Sequence, residues 1–196
     1  MVNGREWSRV TARTASEICR RFEMSPEVQT LRLEELSPRE FVSVAIEKGH
    51  HPDAIRFLAH ALPKPEAIRW GWLCARSTSS SPEDRAAAEA LEQTEKWLRD
   101  PTEENRRTLM AAAQTAGFAT PAGAVSLAAF LSGGSLAPPD VAPVPPPEEL
   151  TGQAVAAAGL LSGVFREPQK AVERYREFLA QGVRIAEGAD EPATRR

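Results

Sequence analysis

Residues 120–165 read TPAGAVSLAAFLSGGSLAPPDVAPVPPPEELTGQAVAAAGLLSGVF. From Thr108 to Phe165 the chain carries no lysine or arginine, and its only acids there are Asp140, Glu148 and Glu149. Two segments of this stretch, 121–134 and 151–165, are apolar nearly all round. A helix with no polar face is stable in water only when other helices wrap it. The pattern therefore predicts two central helices, with Gly123, Gly152, Gly159 and Gly163 as points where another backbone approaches closely. The proline-rich segment between them joins two pieces of one core, so it is expected to be an internal strap, not a linker between domains. About 15 residues in polyproline II geometry, at about 3.1 Å each, reach about 45 Å and span a domain of this size. Leu136, Val141 and Val144 are the expected apolar contacts of that strap.

Outward from this centre, proline marks where helices begin. Ser25-Pro26, Ser37-Pro38, Ser81-Pro82, Asp100-Pro101 and Thr120-Pro121 each place a capping residue before a proline. Proline suits the first helical turn because its missing N–H would be unpaired there. Glu40 and Glu103 stand where they would close capping boxes. Between the starts, 82–99 sets Ala87, Ala90, Leu91, Thr94 and Trp97 on one face, and 168–187 repeats the pattern with Tyr175, Phe178, Leu179 and Val183. Shorter helices are expected near 15–23, 26–35, 38–48, 52–61 and 65–77. No stretch alternates with the period of a strand, so the fold class is all-α: a compact bundle of about eight helices. The expected organisation is a flexible basic arm over 1–13, one helical domain over 14–187 and a disordered tail over 188–196.

The 196 residues, 42% of them apolar and 26% charged, have the composition of a globular domain. A net charge of −3 argues against whole-protein attraction to nucleic acid. No apolar run reaches the roughly 18 residues that span a bilayer, and the N-terminus lacks the apolar core of a signal peptide. Cytoplasmic residence is the expectation. Cys19 and Cys74 stand far apart with no CxxC spacing, so buried, reduced thiols are expected and not a disulfide or zinc site.

No nucleotide, nucleophile-elbow or zinc-protease motif occurs, and no catalytic residue, metal or cofactor is expected. His50, His51 and His60 are the only histidines. His50 and His51 are expected as solvent-exposed residues of a helix-to-helix turn, and His51, Asp53 and His60 lack the one-turn spacing of metal ligands on a helix. Arg69-Trp70-Gly71-Trp72-Leu73-Cys74-Ala75-Arg76 is the most unusual local composition. Trp70 is expected in the core, while Trp72, flanked by Arg69 and Arg76, is the candidate partner-binding anchor, because tryptophan and arginine dominate interface hot spots. Arg5, Arg9 and Arg13 would line one face of a helix able to meet phosphates. Acidic neighbours Asp140, Glu148 and Glu149 make the Pro-x-x-Pro of APVPPP (142–147) a poor ligand for a proline-binding domain.

The succession LSPREFVSVAIEKG (36–49), DAIRFLAHALPKPEAIRWGWLCAR (53–76) and WLRDPTEENRRTLMAAAQTAG (97–117), with its FLAHALP helix, SGGSLAPP turn and PPP-x-x-LTG run, resembles an uncharacterised family of small bacterial proteins, a domain of unknown function. The resemblance covers roughly residues 15–187. It implies an accessory role alongside type VI secretion and forkhead-associated-domain components, and it assigns no functional residues. The expected function is a non-enzymatic protein–protein interaction module: an adaptor, chaperone or immunity-type partner of another protein. The alternatives are an enzyme whose pocket combines acidic residues with His60, and a nucleic-acid binder acting through the N-terminal arginines.

Overall fold

In the computed structural model, residues 7–78 and 84–189 are described. Ten α-helices follow one another: Ala15–Cys19 (α1), Pro26–Gln29 (α2), Pro38–Glu47 (α3), His51–Ala61 (α4), Lys64–Thr78 (α5), Arg85–Arg99 (α6), Glu103–Ala116 (α7), Pro121–Phe130 (α8), Leu150–Val164 (α9) and Ala171–Ala186 (α10), the last entered through a 3-10 turn at Pro168–Lys170. Eight of them exceed two turns, as the pattern predicts, and there is no strand among the described residues.

The two apolar helices are central. α8 packs on α5, α6, α7 and α9, and α9 packs on α4, α5, α8 and α10. Val125, Ala128, Ala129, Val155 and Ala158 are buried with Trp70, Ile55, Leu58 and Leu179 in one core. Each fully buried aliphatic side chain contributes about 1.5–3 kcal/mol. The hydroxyls that the two central helices carry inside are paired. Thr94 Oγ1 lies 2.8 Å from Ser126 Oγ and donates to Ala90 O, while Ser162 Oγ donates to Ala158 O. The glycines divide by what they meet. A Cβ at Gly123 would lie 2.0 Å from the Gly117 carbonyl oxygen, a true backbone approach, whereas one at Gly152 or Gly163 would strike the ring of His60 or Tyr175.

Most helix starts are where proline places them. Ser37 Oγ accepts from Glu40 N while the Glu40 carboxylate accepts from Ser37 N, which closes the expected box. The Asp100-Pro101 start is corrected. Asp100 ends α6, and its carbonyl accepts from Thr102 N and Asn105 Nδ2, so Thr102 becomes the cap, with Oγ1 accepting from Asn105 N. Glu103 consequently sits inside α7 and pairs with Arg106 and Arg107 instead of closing a box. Asp84 caps α6 by accepting from Ala87 N; the Ser81-Pro82 start lies outside the described residues. The 15–23 and 26–35 helices shrink to α1 and α2, because the chain turns back and Leu33 O and Leu36 O accept from Ser16 N and Ala15 N.

Two further expectations are corrected. The proline segment does not stretch across the body. It closes on itself, with Leu136 N donating to Val144 O at 2.8 Å and Val144 N donating to Ser135 Oγ at 3.0 Å. Ends that already lie side by side, on α8 and α9, need no long crossing. Val141 and Val144 are 52% and 51% exposed, and Leu136 is exposed too, so none of the three acts as an apolar anchor. The basic segment is no free arm over residues 7–13: Trp7 is buried, Arg9 N donates to Ala186 O and Arg9 Nη1 pairs with Glu66 Oε1 at 3.0 Å. At the other end, Gly188 N and Ala189 N bond to Ile185 O and Arg184 O and close α10. The remainder of both termini lies outside the described residues.

Candidate functional site

The expected anchor on α5 is not one. Trp72 is only 8% exposed, its Nε1 donates to Leu91 O at 3.0 Å, and the Arg76 guanidinium lies 4.2 Å from its ring centroid. α6 covers the indole, which leaves Arg76 exposed above it and Arg69 half-buried beside Leu98 and Ile185. Trp70 is fully buried, as expected, with Nε1 donating to Phe178 O at 2.9 Å. Residues 7–13 are not helical, so Arg9 and Arg13 form no helical stripe; Arg5 lies outside the described residues.

Two openings of the described surface are lined by a ring whose buried nitrogen has no partner, Trp7 in one and His60 in the other. The larger, about 770 Å³, is a groove between residues 7–13 and the start of α3. Trp7, Val10, Ala12, Leu36, Pro38 and Val44 supply its apolar surface. Arg13 and Arg39 balance Glu40 and Glu47 around it. Ser37 holds the Glu40 carboxylate and keeps it ionised below the usual carboxylate range, and Arg39 pairs with Glu187 at 2.8 Å. Within the groove wall the Trp7 indole N–H is buried without a partner, and among the described residues the amides of Thr11 and Ala12 make no hydrogen bond.

The smaller opening, about 380 Å³, lies where the N-terminus of α9 meets the end of α4. On α4, the expectation of exposed turn histidines is corrected for His51. His51 is buried at the start of α4, with Nδ1 3.1 Å from Gly49 O and Nε2 accepting from Arg176 Nε. His60 is 6% exposed and stacks on Phe22 with centroids 5.4 Å apart. Burial, reinforced by the Arg21 charge and opposed by Glu149, pushes its pKa down to about 4, so the imidazole is neutral at pH 7. The ring has no hydrogen-bond partner, and Nε2 is wholly enclosed. Arg21 Nη1 donates to His60 O at 2.9 Å, and Lys64 pairs with Glu148 at 2.9 Å across the mouth. The structure thus gathers two acidic residues, Glu148 and Glu149, around His60, but no carboxylate is hydrogen-bonded to the imidazole.

Both cysteines are buried and reduced. Desolvation pushes the Cys19 thiol up to about 12 and raises Cys74 as well, so neither is a thiolate nucleophile at neutral pH. Among the described residues there is no cluster of three or more metal-ligating side chains and no helix long and apolar enough to cross a membrane.

The model of a family of unknown function, DUF6931, matches residues 41–186. The chain belongs to DUF6931. No curated protein and no solved structure matches it. The DUF6931 span runs from within α3 to the end of α10 and so takes in both central helices together with His60, Lys64, Thr151 and Gly152. Trp7, Val10, Ala12 and Leu36 of the groove precede it, as does Arg21. The smaller cleft is therefore built largely from the DUF6931 domain, whereas the groove combines that domain with the N-terminal segment.

Proposed function

We propose that this DUF6931 protein is a non-enzymatic, cytoplasmic interaction module that receives an extended, largely apolar segment of a partner protein in the groove between residues 7–13 and α3. The observation that carries this reading is the wall of the groove. Residues 10–12 are irregular chain whose Thr11 and Ala12 amides have no intramolecular partner, and the buried Trp7 N–H beside them is a further unused donor. An extended partner backbone carries carbonyls that can take up such a donor, as in strand addition. The balanced charges at Arg13, Arg39, Glu40 and Glu47 favour no strongly charged occupant. A histidine acting as a general base is normally hydrogen-bonded to an orienting group, which His60 lacks. The resemblance adds a setting, an accessory component (adaptor, chaperone or immunity-type partner) of a bacterial type VI secretion or toxin system.

The test is site-specific photocrosslinking from position 44 in cells, followed by binding measurements with the purified crosslinked partner. Val44→Glu in the groove floor and Ala12→Pro, which removes one free amide, are each expected to weaken binding about tenfold or more, while Arg76→Ala on α5 leaves it unchanged. Equal affinity in all three variants would overturn the groove as the docking site.

A further inference from the structure

The cleft at the start of α9 holds a second set of unused donors. The N-terminus of a helix leaves its first amides unpaired and carries about half a positive charge. In α9, Leu150 N is spent on Pro147 O, whereas Thr151 N and Gly152 N have no acceptor. Glu149 occupies the capping position, yet its side chain makes no capping bond. A second, independent observation stands beside the helix end. His60, more than nine-tenths buried, lines the same cleft with its ring against Gly152, where a Cβ would lie 2.4 Å from Nδ1, and neither ring nitrogen is hydrogen-bonded. Burying an unpaired polar group is unfavourable, so a ring left this way beside unpaired amides marks a place for a ligand. Arg21 is fixed there by one bond to His60 O, with its remaining N–H groups uncommitted. Around the cleft Arg9 is paired with Glu66 and Lys64 with Glu148, which leaves the Arg21 guanidinium facing only Glu149, whose carboxylate is exposed at the rim.

We propose that this cleft binds the oxyanion group, phosphate or carboxylate, of a small molecule, held by the Thr151 and Gly152 amides and the Arg21 guanidinium with the His60 imidazole as its polar wall. A volume of about 380 Å³ leaves room for the rest of a small organic ligand beyond the oxyanion. The site is independent of the groove, although Thr11 lines both.

The test is an amide-resolved NMR titration of the full chain with inorganic phosphate and, separately, with acetate. Saturable shifts centred on Thr151 and Gly152 are expected with at least one probe. The probe with the lower dissociation constant assigns the group as tetrahedral or planar. Arg21→Met should weaken that binding about tenfold, the worth of one charge-assisted hydrogen bond. His60→Phe preserves the stack on Phe22 and removes both ring nitrogens; it should weaken binding as well, which a purely packing role for the ring would not do. Arg99→Met, on exposed α6, should leave it unchanged. Linear, unsaturated shifts spread over the surface, or equal affinities in all three variants, would overturn the proposal.

Discussion

The two central helices end differently, and the contrast separates structure from function. The C-terminus of α8 is closed. Arg106, 4% exposed, donates from Nη1 to Phe130 O and from Nη2 to Ser135 O, while Glu103 holds its Nε at 2.7 Å. Leu131 O accepts from Thr151 Oγ1. A buried charge is tolerated there because every donor facing the helix end finds an acceptor. The N-terminus of α9 begins beside it and is open: two amides and an imidazole face a cleft with no partner. The loop between the two is anchored at the closed end through Arg106 and through Arg107 Nη1 donating to Ala137 O, and at the open end by the Lys64–Glu148 pair. Satisfied polar groups hold the fold together, whereas unsatisfied ones at an accessible cleft are available to a ligand.

The closed end gives the largest expected effect. Arg106→Met leaves the Phe130 and Ser135 carbonyls without their donor, while half-exposed Glu103 keeps Arg107, and it should lower stability by about 2–4 kcal/mol, measured by urea unfolding. A loss below about 1 kcal/mol would break the contrast by showing the α8 end to be no better satisfied than that of α9.

The open end is probed by pH. A histidine held neutral in the fold takes up its proton in the unfolded chain first, so its contribution is full above about pH 6.5 and declines as the pH falls toward about 4. The loss across that window should reach about 3 kcal/mol. His51, also lowered by burial and Arg176, slopes the same way. His60→Phe should therefore flatten the stability profile in part, to the slope that His51 leaves. Identical profiles for the two proteins would show that the His60 ring is not buried as a neutral group.

The smallest effect belongs to the loop. Val141→Ser and Val144→Ser remove side chains that are half exposed, and each should change the melting free energy by less than about 0.5 kcal/mol. A cost above about 1.5 kcal/mol would restore the strap that the sequence suggests.

The sequence by itself determined the all-helical class, the central place of α8 and α9 and most helix starts, including the Ser37 box. These are local properties: a capping side chain reaches only its own first turn, and an unbroken apolar surface must be covered whatever covers it. It also placed Trp70 in the core. Only the tertiary structure decided what lies against what. His51 and Trp72 looked exposed because their own helices do not bury them; Arg176 of α10 closes on one, and α6 covers the other. The proline segment looked long enough to cross the body, yet Ser135, Arg106 and Arg107 fold it back within reach of α7. Neither opening was legible, because each brings together residues far apart in the chain: residues 7–13 with α3, and α4 with the first turn of α9. A cleft is a property of how helices pack, and packing partners are chosen by shape and burial over the whole chain, which no local spacing encodes.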